Sequence, residues 1–600
     1  MRALVLLPFA ILPLGCDINR QLGNDLPVQP VAPLAGAGTG NAHSGAAGQP
    51  TLRWKANSQA QTYHLQVDDS CGADATCDFP SPEIDEAALA ATSYVPASPL
   101  PASSAAPFSR RYYWRVQACS GNACGEWSLT RSFVVGQDLT LNRDINGDGY
   151  PDFVVGAPNS SQVKERGGQA LVFLGGPTLP FRPALVLNGE VPGDQLGYAV
   201  AMAGDVNGDG YGDYLVRAVG VSDVGPQNGR IMLFFGGPNL KSQPDIVFPA
   251  QGMDLDGATS GSVAGCGDLN GDGYDDIAFN AFDVAADGTL ILPDRVEIHF
   301  GGPDMASSAP LVLYGESPPP ASSSDPFIDY DGFGSSISQA GDVNGDGYPD
   351  LIVGARTLPS ADSLTVGGKV RIYLGGPGMD AAPDVVLEMA KVSNPGLDSV
   401  LFGASVAGLG DVNGDGFADV AVGAPGFDIN YRSAPSISRV YVYFGGSASH
   451  TSPDLVLQGD QGTEEFGTWV VPAGDVNHDG YADFAVLAPG IGPATLVGTP
   501  DAIPLWPGKA YLYSGGQNAG QSLIATVEAR TAFPHMPSLA VLDIDGDAYP
   551  EILSGQCEQG PDTCRSGQVS IYRSSDNYAQ PARTIPGTSS GNAFGLAMSP

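Results

Sequence analysis

The chain has 600 residues, 42% of them hydrophobic, with 81 glycines, 50 prolines and a formal charge of −38. That length supports several domains and that glycine and proline content asks for many turns, while the acidity excludes a nucleic-acid binder, which needs Lys and Arg to neutralise phosphate. No long stretch has the period of an amphipathic helix; short Val, Ile, Leu, Tyr and Phe runs bounded by Gly, Asn, Asp and Pro predict an all-β chain.

The chain opens with one basic residue, Arg2, and an apolar run to Cys16 that is too short to span a bilayer. A small residue, Gly15, before Cys16 resembles the bacterial lipoprotein signal, although Pro13 stands where that family usually has Leu. The resemblance implies removal of residues 1–16 up to a lipidated Cys16. The protein would then sit at the bacterial cell envelope or surface, touching membrane only through the lipid anchor; secretion is the alternative. Asp17 after the lipid-bearing Cys would imply inner-membrane retention in some bacteria. No other segment is long and apolar enough for a transmembrane helix. Residues 17–49 are rich in Pro, Ala and Gly without a hydrophobic period and read as a flexible tether.

Over residues 50–136 the pattern changes to short strands near 51–54, 63–67, 112–116 and 131–135. Trp54, the Tyr63-x-Leu65-x-Val67 strand, and Tyr112 to Val116 followed by Trp127 resemble a fibronectin type III β-sandwich. The aromatics would anchor a two-sheet core, and the module would act as a spacer. Three cysteine pairs bracket short loops: Cys71 with Cys77, Cys119 with Cys124, and Cys557 with Cys564. They predict local disulfides in an oxidising compartment. Zinc is the competing reading, but no histidines accompany them at ligand spacing. Cys266 is left over as a buried free thiol.

Residues 137–600 carry a repeat. A variant of Asp-x-Asn-Gly-Asp-Gly-Tyr-x-Asp begins at Asp144, Asp205, Asp268, Asp342, Asp411, Asp475 and Asp543, each copy running into an apolar strand. Side-chain oxygens at positions one, three, five and nine, with the position-seven carbonyl, suit a hard cation that takes six to eight oxygens. The candidate ligands in the first three loops are Asp144, Asn146, Asp148, Tyr150 and Asp152; Asp205, Asn207, Asp209, Tyr211 and Asp213; and Asp268, Asn270, Asp272, Tyr274 and Asp276. The next three loops offer Asp342, Asn344, Asp346, Tyr348 and Asp350; Asp411, Asn413, Asp415, Phe417 and Asp419; and Asp475, Asn477, Asp479, Tyr481 and Asp483. Loop seven offers Asp543, Asp545, Asp547, Tyr549 and Glu551.

Glycine at position six permits the sharp turn, and Ile145 faces away from the ion to anchor the first loop. An all-oxygen set with several carboxylates favours Ca2+ over Mg2+ and argues against zinc or copper. The prediction is up to seven calcium ions with a structural role. An EF-hand fails because position twelve of the first loop is Val155, within a strand pattern, and a dockerin-like helical site fails on the same flanks. Loop six has His478 at position four, which is not a ligand position, and its side chain is expected to face solvent. Loop seven is the least regular, with Ala548 for Gly and two altered acids, and is still expected to bind.

A full unit reads from Phe402-Gly403 through the acidic loop, Asp419 to Pro425, a variable loop, Val440 to Gly446, and Asp454 to Gln458. That is four strands per repeat. Seven such sheets predict a seven-bladed β-propeller in which each sheet buries its faces against its neighbours. The first acidic loop lacks the Phe-Gly strand that precedes most others, and Phe594-Gly595 supplies one with no loop after it. This C-terminal strand is expected to complete the first blade and close the ring. Phe-Gly strands, Gly-Ala-Pro turns at 156–158 and 423–425 and intervening acidic loops resemble the FG-GAP repeats of the integrin alpha-subunit propeller. Repeats two, three and seven depart from that pattern. The resemblance implies metal loops on one face and a protein or glycan ligand on the opposite one, formed by variable loops such as 159–167, 357–367, 426–438 and 490–507.

Gly587-x-Ser589-x-Gly591 matches a nucleophile-elbow string but lacks its strand-turn-helix context, and the six histidines form no metal or triad pattern. The function expected is therefore non-catalytic: a calcium-stabilised, surface-anchored binding or adhesion protein. The alternative is an extracellular polysaccharide hydrolase or lyase using the propeller as a platform.

Overall fold

The computed structural model describes the chain except residues 1–29, 33–36, 42–51, 55, 58–59, 70–78, 99, 102–109, 122, 129–130, 137–141, 181, 221–228, 250–261, 285–289, 317–331, 358–365, 393–400, 427–437, 447–450, 460–464, 491–506, 517–518, 521, 530–534, 548, 560–563, 588–593, 596 and 600. Cys16, the residue expected to be lipidated, the Cys71–Cys77 pair and Ser589 lie outside the described residues, as do the side chains of Cys557 and Cys564. No α-helix occurs among the described residues, and none is long and apolar enough to cross a membrane. The chain divides into two compact units, the first formed by residues 1–32, 50–97 and 112–131, the second by 33–49, 98–111 and 132–600.

In the first unit Leu52–Trp54 pairs with Pro30–Ala32 and Ser93–Tyr94. Thr62–Asp68 pairs with Ile84–Leu89 on one side and Arg110–Ser120 on the other. Alternate residues Tyr63, Leu65 and Val67 are buried, as are Tyr112, Trp114 and Val116 of the paired strand, the two-residue period of half-buried strands. Cys119 and Cys124 face each other in a short hairpin and form a disulfide.

The second unit contains seven four-stranded antiparallel sheets. Six follow the chain in simple order, for example Ser405–Gly410, Asp419–Ala424, Arg439–Tyr443 and Leu455–Gln458. In the first sheet the order is Leu185–Asn188, Gln169–Phe173, Phe153–Ala157 and Ala597–Ser599, so its first strand comes from the C-terminus. Ala597–Ser599 contacts both Ala199–Gly204 of the second sheet and His535–Leu542 of the seventh. The first strands of the other sheets contact one another in sequence order, so the contacts run round without a free end. The second strands, such as Phe153–Ala157 and Asp419–Ala424, are buried along their whole length. Continuous apolar runs are what a strand needs when neighbouring sheets cover both its faces. The cores accordingly lie between sheets: Val154 and Val172 of the first pack with Val216 and Met232 of the second.

Glycines set the seam between sheets. Gly403, Gly467 and Gly595 have φ of +84°, +87° and +83°, which glycine adopts without the penalty of a Cβ. Each turns its carbonyl onto a glycine in the second strand of the preceding sheet. A Cβ on Gly354, Gly423 or Gly555 would lie 2.2, 2.0 or 2.1 Å from that oxygen. Ser405 and Ser538 donate to the carbonyls of Gly467 and Gly595 at 2.8 and 2.6 Å. The Phe-Gly and Gly-Ala-Pro signatures are thus two sides of one close approach, made across sheets. Gly423→Ala is expected to cost about 1–3 kcal/mol by overpacking. Urea unfolding checks this, with Gly446→Ala, where an added Cβ meets nothing within 4 Å, as the control of small effect.

Candidate metal loops

Six of the acidic loops join the first strand of a sheet to its second; the loop at Asp144 leads into the second strand of the first sheet, whose first strand is Ala597–Ser599. The position-nine acid begins the second strand in loops two to seven and precedes it by one residue in loop one. Asp152, Asp213, Asp276, Asp350, Asp419, Asp483 and Glu551 are all 0% exposed. Each accepts the position-two backbone N–H at 2.7–3.0 Å. In the first six sheets its other oxygen accepts the N–H of a glycine just past the third strand, Gly175 for Asp152 and Gly515 for Asp483, at 2.7–2.8 Å. The position-one Asp accepts the position-six N–H at 2.7–2.9 Å in loops one to six. There the position-six glycine has φ of 90–97°. The position-two residue turns inward to the core: Ile145 and Val412 are 0% exposed.

Burial pushes these acids up despite the N–H groups that favour their charged form. Asp152 and Asp419 are raised to about 8, and Asp205, Asp411 and Asp483 to about 6, with desolvation the largest cause and neighbouring carboxylates adding to it. Asp213, Asp276 and Asp350 move well above the ordinary carboxylate range for the same reason. Clustered, desolvated carboxylates repel one another until a cation joins them. The donors are oxygen throughout, and a carboxylate oxygen that accepts one N–H keeps a further lone pair. Loops one to six therefore fit a hard divalent cation.

The loops are also tied to each other. Gly237 donates to the carbonyl of Ile145 at 2.7 Å, Gly302 to Val206 at 2.7 Å, Gly376 to Leu269 at 2.6 Å, Gly446 to Val343 at 2.8 Å, and Gly516 to Val412 at 2.7 Å. Gly176 donates to Ile544 at 2.8 Å and links the first sheet to loop seven. The position-seven ring lies on the position-four glycine of the preceding loop: a Cβ on Gly147 would meet Tyr211 at 2.4 Å, and one on Gly546 would meet Tyr150 at 2.7 Å. Loop six carries His478 at that place. Its ring is exposed, as expected, yet packs edge-on against Tyr549 at 4.4 Å between centroids.

These inter-loop links were not read from the sequence, although the signal was present. Gly at position four, an aromatic at position seven and Gly-Gly after the third strand recur together. Another residue that sequence reasoning passed over is Arg573, whose guanidinium donates to Asp545 and whose Nε lies 3.7 Å from Glu551. The variable loop 159–167 is described and exposes Val163 at 60%. Most of 357–367, 426–438 and 490–507 lies outside the described residues. A cavity of about 580 Å³ runs along the first strands, lined by Tyr198, Met202, Ile337, Val406, Val470 and Met598. Among its lining residues Glu465 is the single carboxylate, raised to about 7 by burial. Glycoside hydrolysis ordinarily needs two carboxylates across the scissile bond, so this cavity does not supply the polysaccharide hydrolase reading. Cys266 is buried and unbonded to another cysteine.

The FG-GAP repeat model matches residues 140–173, 333–373 and 402–443. The chain is 37% identical over 186 residues to mouse integrin alpha-IIb, covering 29% of this chain and 16% of that protein. It is 35% identical to Xenopus laevis integrin alpha-5 over 28% of this chain and 15% of the relative, and 37% identical to human integrin alpha-7 over 26% and 12%. Among solved structures, a crystal structure of an ACO/RPE65 chimera aligns over 95% of each chain at 10% identity, with a TM-score of 0.27. The matched stretch thus spans less than a fifth of these curated relatives, and within it the chain is similar to the FG-GAP repeats of integrin alpha subunits.

Proposed function

We propose that the seven sheets are the blades of a closed propeller and that loops one to six each hold one calcium ion through the side chains at positions one, three, five and nine. The protein is then a non-catalytic binding or adhesion module. The observation that carries this reading is the fully buried position-nine acid of loops one to six, raised by burial and by the other carboxylates of its own loop and linked loop to loop through the Gly-Gly turns. Bound calcium would supply the positive charge those carboxylates lack. The chain's own residues shape the turn and pass each loop's position to its neighbour. Similarity to integrin alpha subunits supports recognition of a partner, and the variable segment 159–167 belongs to the side of the sheets away from the acidic loops. The first unit acts as a fibronectin type III-like spacer, and Cys16 as the lipid-bearing terminus of an envelope protein.

The test is a pull-down and a glycan array with the chain from residue 17 onward, each run in calcium and in chelator. Capture of a defined protein or glycan that is lost in chelator supports the reading. Turnover of a polysaccharide without stable capture overturns it in favour of the hydrolase or lyase.

A further inference from the structure

Loop seven departs from the other six in four ways at once. Position three is Asp545 instead of Asn, position nine is Glu551 instead of Asp, and position six is Ala548 instead of Gly. The residue just past the third strand is Arg573, where the other sheets have Leu174, Phe235, Phe300, Leu374, Phe444 and Ser514. Four changes confined to one repeat form a set, and the geometry shows what unites them. The Arg573 guanidinium donates to Asp545 and approaches Glu551, whose carboxyl side chains are 5% and 1% exposed. Oxygens of Asp543, Asp545 and Glu551 lie within 4.8 Å of one another, so a cation already stands beside the three carboxylates a metal would use.

The scaffolding has changed to match. In the first six sheets a turn glycine donates to the position-nine carboxylate. In the seventh, Ser574 and Ser575 replace the Gly-Gly pair and a short 3-10 turn, Ser574–Asp576, follows. Glu551 Oε1 is buried and accepts no hydrogen bond; its cationic neighbour is Arg573, whose Nε lies 3.7 Å away. Tyr578, 2% exposed, donates to the Pro550 carbonyl at 3.1 Å and fixes the turn to the loop. In loops one to five the position-three Asn amide donates to the position-five Asp. An Asp at position three cannot donate, but it pairs with a guanidinium. The Arg573 side chain is half-buried, 32% exposed, and a guanidinium is always charged and presents several fixed donors, so it offers these acids a positive charge without a metal. Position six adopts φ of 90–97° in the first six loops, which Ala resists.

We infer that Arg573 is the built-in cation of loop seven, so that this loop is held by a side chain and takes no calcium. This replaces the sequence expectation of a seventh ion and rests on the proposed calcium role of the other loops. The experiment counts calcium per chain by elemental analysis after equilibration in calcium buffer, for the full chain, for Arg573→Leu, and for the triple variant Arg573→Leu/Asp545→Asn/Ala548→Gly. The triple variant reverses three of the four departures, leaving Glu551, and guards against a single variant that fails to fold. The expected result is one more calcium per chain in the variants than in the wild type. Equal counts in the wild type and in both variants overturn the inference. Melting in chelator is the second readout: Arg573→Leu should melt lower than the wild type, and an unchanged melting temperature also overturns it. A wild type that binds no calcium would instead defeat the reading of loops one to six, leaving the chelator melt to judge Arg573.

Discussion

Removing residues 594–600 is expected to lower the melting temperature by about 5–10 °C and to make the protein self-associate. The lost strand pairs with Phe153–Ala157 through Val154, Val155 and Gly156. Phe594 and Met598 are 3% and 5% exposed and share a core with Val569, Ile571 and Ile585 of the seventh sheet. Burial of two such side chains contributes about 1.5–3 kcal/mol each. The truncation would also strip Gly595, whose N–H donates to Gly156 and whose carbonyl accepts from Ser538. It would leave the strand Phe153–Ala157 as an open edge of unpaired N–H and C=O groups, a template for pairing with another copy. Calorimetry and size-exclusion chromatography measure both effects. A truncated protein that stays monomeric and melts like the full chain would show that the first sheet does not depend on its C-terminal strand.

Chelation of calcium is expected to lower the melting temperature by about 10 °C or more, and the size of that drop should grow with pH. An ion present at a hundred times its Kd stabilises the folded state by about 2.7 kcal/mol per site, and six sites act together. The pH dependence follows from the acids that burial raises. Without metal, Asp152 and Asp419 titrate near 8 when folded and near the ordinary value of 3.8 when unfolded. The folded chain therefore holds protons that the unfolded chain releases. Their contribution is fully present below about pH 4 and is lost as pH rises through about 8. Asp205, Asp411 and Asp483, at about 6, act in the same direction earlier in that range. Calcium requires the deprotonated carboxylates, so it restores most where the metal-free protein is weakest. Melting curves at pH 5 and pH 8, each with calcium and with chelator, test this; an equal calcium-induced shift at both would contradict it.

The strands and the acidic loops were legible because each rests on a short local pattern. Asp419 to Ala424 is an uninterrupted apolar run after an acid, and the structure buries every residue of it. Position-six glycine was assigned to a sharp turn, and Gly149 has φ of +90°. The place of Phe594-Gly595 was legible for a different reason: a repeat array shows by its period which strand is missing. Less legible was what the conserved spacing does between repeats. Tyr211 was read only as a carbonyl donor, yet its ring covers Gly147 of the preceding loop. Gly-Gly after the third strand read as a turn, yet Gly236 donates to Asp213 while Gly237 donates to Ile145 of the neighbouring loop.

The amino-acid sequence by itself determined an all-β chain, the number and order of its acidic loops, and an oxygen-only donor set, because strand period, turn glycines and ligand spacing act over a few residues. Only the tertiary structure decided which carboxylates are desolvated, how each loop is fastened to the next, and that Arg573 stands among the acids of loop seven. Arg573 and Asp545 are 28 residues apart and belong to no common motif. Their meeting depends on the second and third strands running antiparallel and returning the chain to the same end of the sheet, and no local pattern records that distance.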